Sequence, residues 1–427
     1  MRFIRVCRFA LIAPVLAATP VCRDASAQDT AVAAVDEWPQ FLGPDRNGVS
    51  RASNLVDGWL SAEGPKQLWR VPGGVGMSGL VVARGRVLTL LQADDKQVAV
   101  ALDAESGRTL WQTPLAPAYR NQMGDGPRAA PAVAGDRVFV FTGEGVLAAL
   151  DFADGKIFWS HRLIEQFGGK EADYGMASSP LVVDDRVIVT VGAPSATIAA
   201  LDAKSGETVW KAGGDPAGYS SPALLNIGGR RQIVVYSGAS VLGFAPETGA
   251  VLWRYPYVTD YECNIITPQV VDGKVFVSSG ENHGAVLLEL KPNGDGFDVV
   301  EAWKSQGPGS TLRTEWQTPV LIDGKLYGFD NVGSAGPVTH LTCIDAATGA
   351  RLWQKLRFGK GNLIAADGKL WISTMAGELV LVRASPAGYE ELARSDVGVT
   401  TRQAPALAAG RLCLRDDDEI VCFDVRK

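Results

Sequence analysis

The spacing Asp-x-x-x-Gly-x-x-x-Trp recurs along this 427-residue chain and constrains its fold more than any other feature. It occurs at Asp103, Gly107 and Trp111, at Asp151, Gly155 and Trp159, at Asp202, Gly206 and Trp210, and at Asp345, Gly349 and Trp353. Two degenerate copies keep the spacing with altered ends, Ala245-Gly249-Trp253 and Ala384-Gly388-Leu392, and a copy stretched over 291–298 ends at Trp303. The Asp carboxylate caps free backbone N–H groups of a turn. The Gly supplies the positive φ that closes the hairpin. The Trp, on the following strand, buries a large ring against the next repeat. These residues are therefore structural, and a fixed repeat of this length implies one supersecondary unit stacked many times.

A second hairpin precedes each copy. Alternating apolar residues around a Gly- or Asp-containing turn mark strand pairs at 80–89, 131–140, 180–189, 222–235, 268–277, 319–328, 363–372 and 405–414. Eight inner hairpins, each followed by an outer pair, predict an all-β, eight-bladed β-propeller. Gly 48 and Pro 23 beside 46% hydrophobic residues suit short strands and tight turns. The eighth unit stops after Cys422-Phe423-Asp424 without a Trp-bearing outer strand, while a spare one, Gln67-Leu68-Trp69-Arg70-Val71, precedes the first hairpin. The N-terminal strand is thus expected to complete the last blade, removing the exposed edges of an open array. Successive Trp positions lie 42 to 51 residues apart, one blade each. A single closed ring predicts a monomer.

Three basic residues, Arg2, Arg5 and Arg8, precede a short apolar run from Phe9 to Ala18, and Ala25-Ser26-Ala27 offers a cleavage site. Residues 1–27 therefore read as a secretory signal, with a lead-in segment over 28–64 and the propeller over 65–427. The apolar run is too short to span a bilayer, so no transmembrane segment is expected. Thr19-Pro20-Val21 before Cys22 departs from a lipoprotein cleavage box. The expectation is a periplasmic or secreted protein. Loss of the signal takes the net charge from −6 to −9, which argues against nucleic acid as a partner. Four cysteines remain. Cys413 and Cys422 face each other across a predicted hairpin, as a disulfide or as buried thiols, while Cys263 and Cys343 stand apart.

The Ala-Leu-Asp endings at 101–103, 149–151 and 200–202, with their following Gly and Trp, resemble the tryptophan-docking motif of pyrroloquinoline-quinone (PQQ) propellers. Trp38-Pro39-Gln40-Phe41-Leu42-Gly43-Pro44 followed by Arg46-Asn47-Gly48-Val49-Ser50 is similar to the opening of a bacterial branch of PQQ-like repeat proteins. The resemblance runs from about Trp38 to the end and implies the fold. The superfamily includes quinone-dependent alcohol dehydrogenases and an outer-membrane assembly lipoprotein. The sequence departs from both. It has no adjacent Cys-Cys pair and no Cys-x-x-Cys-His haem site, and Cys22 lacks the lipidation context.

In this architecture the loops entering the inner strands line one mouth of the central channel. They carry Arg128, Tyr174, Tyr219, then Asp260, Glu262 and Asn264, then Arg313, Glu315 and Trp316, followed by Lys360, Asn362 and Arg402. Asp260, Glu262 and Asn264 are hard oxygen donors of the kind calcium accepts. Arg128 and Arg313 are suited to carboxylates, and Tyr174 or Trp316 to a planar ring. No cofactor is established by the residues themselves; the resemblance implies PQQ with calcium. His161, His283 and His340 fall in different repeats, and no zinc-protease, P-loop or nucleophile-elbow motif occurs. The expected function is a non-catalytic module that binds a partner protein, peptide or glycan through its loop face. The alternative is a PQQ- and calcium-dependent oxidoreductase of an alcohol or sugar, and Glu262 with Glu315 is a third option as a hydrolytic carboxylate pair.

Overall fold

The computed structural model describes Met1 and residues 36–59, 64–333 and 338–427. The secretory-signal expectation falls on 1–27 and lies outside them, Met1 apart. Residues 36–427 form one compact unit. Eight four-stranded antiparallel sheets succeed one another as the blades of a β-propeller. Blades one to seven occupy 81–117, 132–162, 181–212, 223–256, 269–306, 320–355 and 361–396. Blade eight takes its three inner strands from 406–424 and its outer strand from Lys66–Pro72. The expected ring closure is therefore present: Trp69 pairs with Cys422 and Val71 with Ile420.

The repeat has a use in the structure beyond turn formation. In every blade a β-bulge interrupts the outer strand just before the docking position, which pairs with Ala101, Ala149, Ala200, Gly243, Leu287, Cys343, Leu381 or Cys422 in turn. A bulge re-aims the side chain that follows it. Every docking indole except Trp253 is thereby delivered onto the repeat turn of the next blade. The Nε1–H of Trp69 donates to the Ala104 carbonyl at 3.0 Å, that of Trp111 to Phe152 at 3.2 Å, and that of Trp159 to Ala203 at 3.3 Å. Trp210 reaches Pro246 and Trp303 reaches Ala346, each at 3.0 Å, and Trp353 reaches Ser385 at 2.8 Å.

The repeat glycine is thus required twice. Gly107 has φ +71°, and a Cβ there would lie 2.8 Å from the Trp69 ring; at Gly249 it would lie 2.5 Å from Trp210. The two departures have the same cause. Blade five carries the 291–298 hairpin instead of the Asp-to-Gly turn, and Trp253 bonds Gln232 of its own blade at 2.6 Å. No such turn links the last strand of blade eight to its outer strand, and blade seven, which faces it, has Ala393 at the docking position. The register corrects the sequence reading here, since Leu392 is the bulge residue and Ala393 the equivalent of the tryptophans.

The lead-in segment crosses one end of the channel. Trp38 bridges to Val82 of blade one, and the Val133 amide of blade two donates to the Pro39 carbonyl at 2.8 Å. Arg46 donates to the Ser179 and Pro180 carbonyls of blade three at 2.9 and 2.8 Å. Val49 then bridges in parallel to Ala365 of blade seven, and the Ser50 hydroxyl donates to Leu407 of blade eight at 3.0 Å. Arg46 is 4% exposed with no carboxylate beside it, and burial pulls its guanidinium down to about 9. Arg415 of blade eight is also buried; its Nη1 donates to Thr89 of blade one at 3.0 Å, across the ring closure.

Trp69 supplies both the closing strand's core contact and the dock on blade one. Trp69→Ala is expected to lower unfolding free energy by about 3–5 kcal/mol, the usual range for deleting a buried Trp. Urea denaturation followed by the remaining tryptophan fluorescence measures it.

Candidate functional site

The loops that enter the inner strands meet the lead-in segment around one pocket of about 550 Å³. Phe41 and Leu42 of the lead-in segment line it together with Ser179, Ser221 and Thr318 at the inner-strand entrances. The lead-in segment therefore forms part of the pocket wall. Arg128, Tyr174, Tyr219, Asp260, Glu315 and Trp316, all singled out from sequence, share this lining with Lys360, Asn362 and Arg402.

Three other candidates do not join the pocket lining. The Asn264 carboxamide is buried, accepting from the Thr259 hydroxyl at 2.8 Å and donating to the Ser237 and Tyr257 carbonyls at 2.6 and 3.2 Å. Arg313 is 4% exposed and forms a two-point pair with Asp330 at 2.7 and 2.8 Å. Glu262 is not part of the pocket lining and packs against Gly238. Arg128 lines the pocket, but its guanidinium donates to the Tyr174, Gly126 and Gly124 carbonyls, so it holds two loops together. Among the described residues no group of three His, Cys, Asp or Glu side chains is placed to hold a metal ion. The donor set that calcium would need, Asp260 with Glu262 and Asn264, does not assemble. A PQQ–calcium pair therefore does not fit these side chains as arranged.

What remains has a definite polarity. Lys360 lies 4.3 Å and Arg402 5.0 Å from the Trp316 ring centre, and Arg402 donates to the Met123 carbonyl at 3.2 Å. Two cations on one indole give a basic, aromatic wall. Glu315 is held by Lys360 at 2.8 Å and by the Asn331 amide at 2.7 Å. Beside Glu315 stand Glu281 and Asp260, whose carboxylate lies 3.6 Å from His283. Burial, followed by the charges of Glu315 and Asp260, raises the Glu281 carboxyl above its ordinary value. Burial and the four surrounding carboxylates push the Cys263 thiol up to about 12. Tyr174 and Tyr219 stack at 5.7 Å between centres, and the Tyr219 hydroxyl accepts from the Tyr174 amide at 3.2 Å.

Sequence reasoning missed Phe41, Leu42, Glu281 and His283. Glu281 and His283 come from the hairpin within blade five, not from a loop entering an inner strand. Consecutive left-handed residues mark both acidic loops: Tyr261 and Glu262 at φ +59° and +56°, Glu281 and Asn282 at +51° and +64°. Such conformations cost about 1–3 kcal/mol each and cluster at binding sites.

The comparisons with known proteins agree with the repeat geometry. The family described as "Outer membrane protein assembly factor BamB", a PQQ-repeat family, matches residues 57–162 and 94–355. The chain belongs to the PQQ-like β-propeller family. It is 24% identical to the outer membrane protein assembly factor BamB of Yersinia pestis over 294 residues, 67% of this chain and 71% of that protein. It is 33% identical to the quinohemoprotein alcohol dehydrogenase ADH IIB of Pseudomonas putida over 136 residues, 29% of this chain but 19% of the dehydrogenase. The crystal structure of the quinohemoprotein alcohol dehydrogenase from Comamonas testosteroni superimposes with a TM-score of 0.64 at 15% identity, covering 92% of this chain and 81% of that one. At that identity the match is one of fold. No helix among the described residues is long and apolar enough to cross a membrane.

The raised Glu281 carboxyl has a consequence for stability. The folded protein holds that proton more tightly than the unfolded chain, so ionising Glu281 destabilises the fold. The penalty is absent below the ordinary glutamate value of 4.5 and complete above the raised one. Glu281→Gln should therefore raise the melting midpoint at pH 7 and leave it unchanged at pH 4. Thermal unfolding at the two pH values checks this.

Proposed function

We propose that this protein is an exported, non-catalytic binding module of the bacterial envelope. It is read as a leader over 1–27, a lead-in segment over 28–64 and a propeller over 65–427 that works as a monomer. Its loop face and pocket engage a partner protein or peptide, with a glycan as the other chemistry such a face accepts. The observation that carries this reading is the disposition of the polar loop residues. Asn264, Arg313 and Arg128 have their hydrogen-bonding groups turned onto the protein itself. They build a rigid rim rather than a reaction centre. Apolar groups remain exposed on that rim, Val258 at 69% and Tyr261 at 65%, above a pocket lined by Trp316, two cations and a cluster of carboxylates. Exposed apolar side chains bordered by charge are a usual mark of a protein-binding face. Similarity to assembly factors over most of their length supports the same reading.

A photo-crosslinking residue in place of Tyr261 is expected to yield adducts with another polypeptide in cells, whereas one in place of Phe158, on an outer strand, is not. Equal yields from both positions, or none from 261, overturn the reading. The oxidoreductase alternative is tested separately by adding PQQ with calcium in a thermal-shift titration. A ligand specific to the folded state raises the midpoint by mass action. No shift is expected; a saturable shift abolished by Asp260→Ala or Glu262→Ala would establish the dehydrogenase instead.

A further inference from the structure

We propose that Cys413 and Cys422 are joined by a disulfide in the mature protein, and that this bond fixes the register of the ring-closing blade. The two residues are directly opposed on the antiparallel strands Arg411–Arg415 and Glu419–Asp424. On either side, Asp416 N–H donates to Glu419 at 3.0 Å and Val425 N–H donates to Gly410 at 2.9 Å. Hydrogen-bonded pairs alternate with non-hydrogen-bonded ones along such a ladder. Counting inward by two from either flank makes 414/421 and 412/423 hydrogen-bonded pairs and leaves 413/422 in the other class. There the backbones approach to about 4.5 Å between Cα atoms, inside the range a disulfide spans. The sulfurs are 2.8 Å apart, both fully buried, and the structure holds them as thiols.

The other seven blades act as internal controls. The residues at the same place are Leu88/Ala101, Phe139/Ala149, Ile188/Ala200, Val234/Gly243, Phe276/Leu287, Tyr327/Cys343 and Trp371/Leu381. Six of them place a Leu, Ile, Phe, Tyr or Trp there, and in blade four, with Val234 opposite Gly243, the Trp253 ring takes the space. Blade eight sets two small sulfur-bearing side chains against each other instead. Blade eight is also the blade assembled from the two ends of the described ring, and Cys422 pairs on its other side with Trp69 of the closing strand. A slip of one residue in the strand Glu419–Asp424 would turn Cys422 to the opposite face and misplace the Trp69 dock. A Cys413–Cys422 bond forbids that slip.

Formation follows thiol–disulfide exchange with a disulfide oxidant. One cysteine thiolate attacks the oxidant's S–S bond to give a mixed disulfide and release one thiol. The second thiolate then displaces the other, so two electrons and two protons pass to the oxidant. Burial pushes the Cys413 thiol well above its ordinary range, so the exchange belongs to folding, before blade eight closes. Cys263 and Cys343 have no facing cysteine and serve as thiol controls.

The test is refolding of the reduced chain in a buffer of oxidised and reduced glutathione, then acid quench, alkylation in denaturant and tryptic mapping. It does not depend on where the protein resides, so its failure and that of the proposed export are distinguishable. Trypsin separates peptide 412–415 from peptide 416–426. The expected result is these two peptides linked, lighter by two hydrogens than their sum, with Cys263 and Cys343 alkylated. Recovery of both peptides singly alkylated overturns the proposal. Protein refolded under oxidising conditions should also melt several degrees above protein refolded with reductant, a difference absent in Cys413→Ala. Equal midpoints would overturn the register-fixing role.

Discussion

The contact on which this propeller depends is an indole set on a glycine turn in the neighbouring blade. The ring cannot approach unless the turn lacks a Cβ, and it cannot be aimed without the bulge before it. Its N–H then meets a carbonyl that the turn would otherwise leave bare. Shape, direction and polarity are satisfied at one place, and the same place recurs from blade to blade. The exceptions follow the rule. Where blade five has an inserted hairpin, Trp253 turns back to Gln232, and where blade eight has no such turn, its neighbour has Ala393.

Closure of the ring requires more than one such contact. The strand Lys66–Pro72 adds its hydrogen bonds and Trp69 to blade eight, while Arg415 reaches from that blade into blade one. The lead-in segment adds a third tie across the channel, from Trp38 on blade one through Arg46 on blade three to Ser50 on blade eight. Burying Arg46, with no carboxylate beside it, and Arg415, with the charges of Asp417 and Asp416 nearby, is costly, and backbone carbonyls offset that cost in each case. The same segment contributes Phe41 and Leu42 to the pocket lining, so a structural tie also shapes the pocket.

Two groups of polar residues share the pocket rim, and their hydrogen-bond partners separate them. Arg313, Asn264 and Arg128 face inward onto carboxylate, amide and carbonyl partners and stiffen the loops. Trp316, Lys360, Arg402, Glu315, Asp260 and Glu281 line the cavity, with Glu315 tied to Lys360 and beside Glu281.

The sequence by itself determined the blade count, the borrowed closing strand and the structural role of Asp103, Gly107, Trp111 and their counterparts, because repeat spacing is a local, one-dimensional property. It also placed Arg128, Tyr174, Tyr219, Asp260, Glu315 and Trp316 near one mouth, since all lie in loops before inner strands. It could not separate Asn264 and Arg313 from the lining residues, because their partners Ser237 and Asp330 lie 27 and 17 residues away. Nor could it bring in Glu281, which sits on a different kind of turn, or Phe41 and Leu42, which reach the pocket from the lead-in segment. Which polar groups face one another across a closed ring is a three-dimensional matter, and the tertiary structure alone decided it.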